Sequence, residues 1–273
     1  MNRIDKTFAS LKQHGRTGLV PFFTAGDPDA AWAAPIMHAL VDAGADLIEL
    51  GVPFSDPMAD GPVIQKSSER ALAKGMNLHG VLDIVRAFRS RDAATPIVLM
   101  GYLNPIEYFG WEKFAGLAAA AGVDGVLLVD CPPEEADSVR PILQHHRLAQ
   151  IFLASPTTTA ARLARMGKLA QGYVYYVSFA GITGADRLAL DDVHQKIAAA
   201  RASIGTPLAV GFGIKTAEQA VALAADAEAI VIGSALVERL AGASDAASAC
   251  ALARDFLAPI RAALDAAAAR KAA

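Results

Sequence analysis

Eight short apolar runs, each of strand length, recur along this chain and constrain its fold more than any other feature. They are 19–24 (LVPFFT), 47–52 (LIELGV), 96–101 (PIVLMG), 125–130 (GVLLVD), 149–154 (AQIFLA), 173–178 (YVYYVS), 207–212 (PLAVGF) and 229–233 (AIVIG). The runs are nearly continuous in apolar residues rather than alternating, as parallel strands are when both faces are covered. Segments of helical spacing lie between them. Leu78, Leu82, Val85 and Phe88 share one face, as do Leu188, Val193, Ile197 and, less cleanly, Ile204. Gly44, Gly75, Gly122 and Gly205-Thr206-Pro207 punctuate the joins. Eight such units predict an α/β fold of the (β/α)8 TIM-barrel type, because doubly wound sheets usually stop at five or six strands.

Three additions to that plan are expected. An extra amphipathic helix before residue 15 caps the barrel bottom. Two helices, 62–74 and 78–90, fill the long gap after the second run. The tail from 244 onward, beyond the helix that follows the eighth run, is an Ala-rich closing helix that frays into ARKAA. An Ala-rich helix is also expected at 111–121. Pro35 sits inside the helical segment 29–43, where an interior proline costs about 3 kcal/mol, and predicts a kink or a late helix start. No linker or composition break divides the chain, so residues 1–273 are expected to form a single barrel domain.

Composition narrows the function classes. Lys+Arg 25 against Asp+Glu 28 leaves a net charge of -3, which gives no electrostatic footprint for nucleic acid or an anionic membrane. With 19% charged and 53% hydrophobic residues, disorder is excluded as the main state. The first residues, MNRIDKTFASLK, contain no apolar core of a signal peptide, and no apolar run reaches the ~18 residues of a membrane span. Cys131 and Cys250 lie far apart, which suggests a reducing compartment; the expected location is the cytoplasm.

In a barrel, chemistry gathers at the C-terminal ends of the strands. The second run places Glu49 among large apolar residues, where an ionised carboxylate is costly and the usual response is a raised pKa, as a general acid/base requires. The competing reading is a Glu paired with a buried Arg or Lys, yet no Arg or Lys falls within any of the eight runs. The loop that follows, Pro53 to Pro62, is stiffened by prolines and a glycine. Asp60 within it reads equally as a functional carboxylate or as a helix cap before Gly61-Pro62. Gly211-Phe212-Gly213-Ile214 and Gly233-Ser234 stand after the seventh and eighth runs, the recurring phosphate site of this fold. Gly181-Ile182-Thr183-Gly184, after the sixth run, suggests a lid with a further N–H for the same anion.

Absences matter as well. All six histidines fall in helices or their termini, so a metal site at the strand ends is not expected. No lysine lies within a run, and Lys215, just past the seventh, is the nearest; this argues against Schiff-base chemistry. Cys131 has no histidine at a neighbouring strand end and reads as a small buried residue. Carboxylate acid–base chemistry on a phosphorylated substrate remains.

The stretch Leu47-Ile48-Glu49-Leu50-Gly51-Val52-Pro53-Phe54-Ser55-Asp56-Pro57-Met58-Ala59-Asp60-Gly61-Pro62 resembles the signature of the tryptophan synthase α chain family. The resemblance runs nearly the whole length, through Pro21-Phe22, Gly26-Asp27-Pro28, Met100 to Pro105, Asp130-Cys131-Pro132, Tyr175, Ser178 to Gly184, Gly211 to Ile214 and Gly233-Ser234-Ala235. It implies a lyase that cleaves indole-3-glycerol phosphate to indole and glyceraldehyde 3-phosphate by a retro-aldol step, without metal or Schiff base. By that match Glu49 is the general acid/base, Asp60 meets the indole N–H, and Tyr175 lies close to the reacting centre. Phe22, Met100, Tyr102, Leu127, Thr183 and Phe212 fall on substrate-binding positions, and Gly184, Gly213, Gly233 and Ser234 on phosphate-binding ones. The family works with a β chain, in an α2β2 assembly, that holds pyridoxal phosphate and receives the indole; this chain itself is expected to hold no cofactor. Pro53, Asp56, Pro57, Asn104 and Pro132 are then candidate partner contacts, on rigid loops facing outward. Another phosphate-binding barrel of aromatic amino-acid biosynthesis, or a barrel that only binds, are the rival readings.

Overall fold

The computed structural model describes residues 2–177, 187–211 and 213–272. Its strands are β1 (Gly18–Thr24), β2 (Ile48–Gly51), β3 (Ile97–Gly101), β4 (Gly125–Leu128), β5 (Ala149–Ala154), β6 (Val174–Val177), β7 (Leu208–Gly211) and β8 (Ala229–Ile232). All pair in parallel and in sequence order, and β8 pairs with β1 to close the barrel. Each of the eight apolar runs holds one strand, except that β1 starts one residue before its run, at Gly18. Closure leaves no edge, so every strand is covered on both faces and can be apolar throughout.

The helices are α1 (Arg3–Gln13), α2 (Ala30–Asp42), α3 (Pro62–Ala73), α4 (Leu78–Arg89), α5 (Leu103–Phe109), α6 (Trp111–Ala121), α7 (Ala136–His145), α8 (Ala160–Leu169), α9 (Arg187–Ser203), α10 (Ala217–Leu223), α11 (Ser234–Leu240) and α12 (Ala246–Ala272). The N-terminal helix and the extra helices after β2 and β8 are as expected. Three details differ. The helix carrying Pro35 begins at Ala30, under an Asp29 cap that accepts from Ala31 N–H at 2.9 Å, so there is no late start. The segment 103–109, for which no helix was expected, forms α5; its first N–H, from Leu103, is capped at 2.8 Å by Asp130 from the end of β4. The tail stays helical to Ala272 instead of fraying at ARKAA.

Alternation along the strands sorts the core into two shells. Ile48, Leu50, Leu99, Val126, Phe152, Val174, Tyr176 and Val210 face outward against the helices. Val20, Leu47, Val98, Leu127, Ile151, Tyr173, Tyr175 and Val231 face inward. The inner shell is closed from below by Ile4, Phe8 and Leu11 of α1. That helix opens with a capping box in which Asn2 accepts from Asp5 N–H while Asp5 accepts from Asn2 N–H.

Asp124 ties the bottom together. It is 3% exposed and accepts from Arg3 of α1 at 2.9 Å, Arg89 of α4 at 2.8 Å and the Ile97 N–H at 2.9 Å. Replacing it by Ala takes the partner from the N–H that starts β3 and from one guanidinium nitrogen of the half-buried Arg89, whose other nitrogens stay on the carbonyls of Gly122, Asp92 and Thr95. We expect Asp124→Ala to lower unfolding stability by about 3–5 kcal/mol, read as a drop in urea midpoint. A midpoint within error of wild type would show that these donors find water instead.

Candidate active site

The inward positions of β2 are 49 and 51, with Leu47 just before it, since Ile48 and Leu50 point at the helices. Glu49 therefore enters the barrel interior, in register with Phe22 of β1 and Val98 of β3. It is 0% exposed. Its Oε1 accepts from the Tyr173 hydroxyl at 2.5 Å, and Oε2 has no partner in the protein. No cation reaches it, so the ion-pair reading falls away among the described residues. Burial pushes the Glu49 carboxyl up to about 7, with the Tyr173 hydrogen bond pulling the other way. A fully desolvated acid with one free oxygen can give and take a proton at neutral pH.

Tyr173 was not foreseen as a functional residue. It is fully buried just before β6, and its ring stacks at a tilt on Phe8 of α1, 5.7 Å between centroids. The signal lay in its position two residues before Tyr175, which puts both on the inward face.

The Glu49 carboxyl opens onto a cavity of about 180 Å³ at the C-terminal ends of the strands. Phe22, Met100, Val129, Leu153 and Tyr175 form its apolar wall, and Ile64 and Asp60 close one side. Two aromatic rings there depend on missing side chains. A Cβ on Gly51 would stand 2.6 Å from Phe22 Cζ, and one on Gly211 would stand 2.6 Å from the Tyr175 hydroxyl. Either contact is too close for any residue but glycine. Two larger open clefts, of about 690 and 1050 Å³, flank α1 at the opposite end of the barrel. They hold no unpaired buried carboxylate, so size does not pick the site; the chemistry does.

Asp60 lines the cavity half-buried, and it is not a helix cap. Gly61 occupies the N-cap of α3 with no side-chain bond, so the Asp60 carboxylate is not used to cap the helix. Burial raises its pKa above the ordinary value, while Tyr102 opposes this. The loop around it is braced. Gln65 Nε2 donates to Asp60 C=O at 2.8 Å, and Ala59 N–H donates to the Tyr102 hydroxyl at 3.1 Å. The α3 helix behind the loop is held to β1 by a Thr24–Ser67 hydroxyl pair at 2.6 Å. Arg70 clamps Asp27 with two bonds of 2.7 and 2.8 Å.

At the far rim lie Gly213, Gly233, Ser234 and Ala235. Gly213 has φ +73°, a left-handed turn, with nothing within 4 Å of where a Cβ would be. Gly233 caps α11, so Ser234 is its first helical residue rather than its N-cap. The carbonyl of Gly233 accepts from Leu236 and Val237, and the N–H groups of Ser234 and Ala235 precede the first intrahelical bond. Amides free in this way, beside an open glycine turn, suit an anion.

The other sequence-predicted residues divide. Tyr102 does not line the main cavity; it borders a void of about 10 Å³ beside it, with Asp60 and Met100. Leu127 is inward but one layer too deep, packed in the inner shell, and Val129 takes the lining position on that side. Thr183, Gly184 and Phe212, and the lid around them, lie outside the described residues. Asp56 is exposed and Pro57 and Pro132 half-exposed on loops at this end of the barrel, and Asn104 is exposed in the first turn of α5; Pro53 is buried within the chain and offers no outward surface. Cys131 is buried with its thiol pushed up to about 11, consistent with an inert core residue. Among the described residues no group of three or more His, Cys, Asp or Glu could hold a metal ion.

This geometry can be set against known proteins. A family model described as tryptophan synthase alpha chain matches residues 8–263. The tryptophan synthase alpha chain of Xylella fastidiosa (strain 9a5c) is 59% identical over 266 residues, covering 97% of this chain and 99% of the relative. That of Laribacter hongkongensis (strain HLHK9) is 57% identical, covering 97% and 100%. The crystal structure of tryptophan synthase subunit alpha from Legionella pneumophila str. Paris superposes with a TM-score of 0.91 at 46% identity, covering 97% of this chain and 99% of that one. On a match this long, and with Glu49 and Asp60 facing one cavity, the chain belongs to the tryptophan synthase alpha chain family.

Proposed function

We propose that Glu49 and Asp60 divide between them the cleavage of indole-3-glycerol phosphate to indole and glyceraldehyde 3-phosphate. Glu49, in its acid form, donates a proton to the indole carbon that bears the glycerol chain. The ring nitrogen becomes cationic, and its N–H binds the ionised Asp60 carboxylate, which stabilises that charge. The Glu49 carboxylate then takes the proton of the neighbouring glycerol hydroxyl. The carbon–carbon bond breaks, its electron pair returns to the ring, and the hydroxyl-bearing carbon becomes the aldehyde. Glu49 ends protonated, as it began. The observation that carries this reading is the fully buried Glu49 with one oxygen free and a carboxyl raised to about 7.

The remaining roles follow from position. Phe22, Met100 and Tyr175 form the indole wall, with Tyr175 nearest the reacting centre, and Gly213, Gly233 and Ser234 receive the phosphoryl end. We read Thr183, Gly184 and Phe212 as completing these sites. The family implies a β-chain partner. We place its docking surface on the rim that carries Asp56, Pro57, Asn104 and Pro132, in an α2β2 assembly in the cytoplasm with the pyridoxal phosphate on the β chain. Support comes from two large apolar side chains that follow β2 and β3, Met58 in the loop after β2 and Tyr108 in α5, which are 80% and 96% exposed. Solvated hydrophobes of that size, grouped on one rim, suit a surface that a partner covers.

Incubation with indole-3-glycerol phosphate is the direct test, and release of indole is the expected result. Glu49→Gln should cut that rate by at least ~10²-fold. The same variant should be the more stable one at high pH. The folded wild type carries a proton between about 4.5 and 7 that the unfolded chain has released, so its stability falls as pH rises through that window. The gap to Glu49→Gln should widen there by up to about 3 kcal/mol. Loss of activity without this widening would return Glu49 to a structural role.

The pH profile gives a second check. With protonated Glu49 as the active form, kcat/KM falls as pH rises through about 7. Tyr173→Phe removes the bond that favours the carboxylate, so that limb should move to higher pH. An unmoved limb would assign the titration to another group. At the rim, Tyr108→Glu should weaken binding of a β chain by about tenfold or more while the isolated chain keeps its rate. Unchanged affinity would remove Tyr108 from the contact.

A further inference from the structure

The cavity has one cationic side chain among its described lining residues, and the chemistry above does not use it. Lys215 lines the same rim as Gly213, Gly233 and Ser234, two residues beyond Gly213. Its backbone N–H is engaged by the Gln219 side chain at 2.8 Å, which fixes the turn and leaves the ammonium as what the residue can offer a ligand. The side chain is exposed, and among the described residues its ammonium makes no ion pair or hydrogen bond. Many of the other cations are spent, as Arg3, Arg70, Arg89 and Arg261 are on carboxylates.

We infer that Lys215 is a binding residue for the phosphoryl group, supplying the full positive charge that the amide cradle lacks. A phosphate monoester carries about −1.5 to −2 charges at neutral pH. The rim amides and the end of a short helix provide only fractions of a charge, roughly half a unit. The two carboxyl groups among the described lining residues, Glu49 and Asp60, offer an anion no positive charge. Without Lys215 an anionic substrate would meet no cation among the described residues that line the site. A flexible lysine at an exposed mouth also attracts the anion from solution, a contribution that salt screens. The inference rests on the phosphate reading of Gly213, Gly233 and Ser234 and adds a residue to it.

The test compares Lys215→Met and Lys215→Arg with wild type in the full-length chain. Inorganic phosphate and glycerol 3-phosphate serve as inhibitors, and indole as an uncharged control ligand. For Lys215→Met we expect KM for indole-3-glycerol phosphate and both inhibition constants to rise roughly fivefold to thirtyfold, with kcat within about twofold and indole binding unchanged. The fall of kcat/KM with added salt should flatten, and Lys215→Arg should restore most of the affinity. These changes together would not follow from a merely structural lysine. Unaltered phosphate inhibition and an unaltered salt slope in Lys215→Met would overturn the assignment while leaving the reaction intact. A wild type that releases no indole yet loses phosphate binding in Lys215→Met would instead sink the reaction and keep the site. Weakened indole binding in Lys215→Met would also overturn it, since the lysine would then be shaping the pocket.

Discussion

A carboxyl group with a phenol beside it and no cation governs the site. Three acidic side chains are buried among the described residues: Asp27, Glu49 and Asp124. Asp27 is clamped by Arg70, and Asp124 receives two arginines and a backbone N–H. These two are bonded on both oxygens and serve the architecture. Glu49 receives one hydroxyl, too little to keep a charge in an apolar interior, and so it stays protonatable near neutrality. The same burial that would be a defect in a structural residue is what gives this one its chemistry.

That acid needs walls that neither hydrate it nor bond it. The barrel provides them through exchanges of volume between neighbouring strands. Gly51 ends β2 two residues beyond Glu49, and its missing side chain admits the ring of Phe22 from β1. Gly211 ends β7 and admits the Tyr175 hydroxyl end from β6. Glycine at a strand end is a backbone feature, yet its effect here is to let an aromatic side chain from the adjacent strand lean over the opening. The apolar side of the cavity and the glycine-rich rim are thus both made at the strand ends, the first where Gly51 and Gly211 make room for rings and the second by Gly213 and Gly233.

How much of this the sequence reveals depends on whether the deciding contact is local. The eight strands are legible because a closed parallel barrel covers both faces of each, and an unbroken apolar run is the direct consequence. Glu49 stands out for the same reason, as a charge where none belongs. The helix at 103–109 does not stand out, because the group that caps its first N–H is Asp130, 27 residues away in the chain. Tyr173 hides inside a run of tyrosines until the register assigns Tyr173 and Tyr175 to the inside and Tyr176 to the outside. Leu127 shows the complementary failure. Alternation gives its face correctly, but depth along the barrel axis is set by strand stagger, and that hands the cavity wall to Val129. Asp60 was ambiguous between cap and carboxylate until the helix was seen to begin with Gly61 at its N-cap.

Depth also joins the two ends of the molecule. From the bottom upward, Phe8 of α1 packs on the ring of Tyr173, and Tyr173 donates to Glu49 at the floor of the cavity. The N-terminal helix is therefore more than a lid over exposed apolar side chains. It packs on a phenol whose hydroxyl holds one oxygen of the acid above it and moderates a proton affinity that burial has raised. A side chain bonded at one oxygen is held in one pose, whereas an unbonded glutamate in an apolar tube would have several equivalent ones. Stability at the base and proton transfer at the mouth thus depend on one continuous column of packed residues, and the shortness of that column, two contacts from helix to carboxyl, is what lets a flexible acid act from a fixed position.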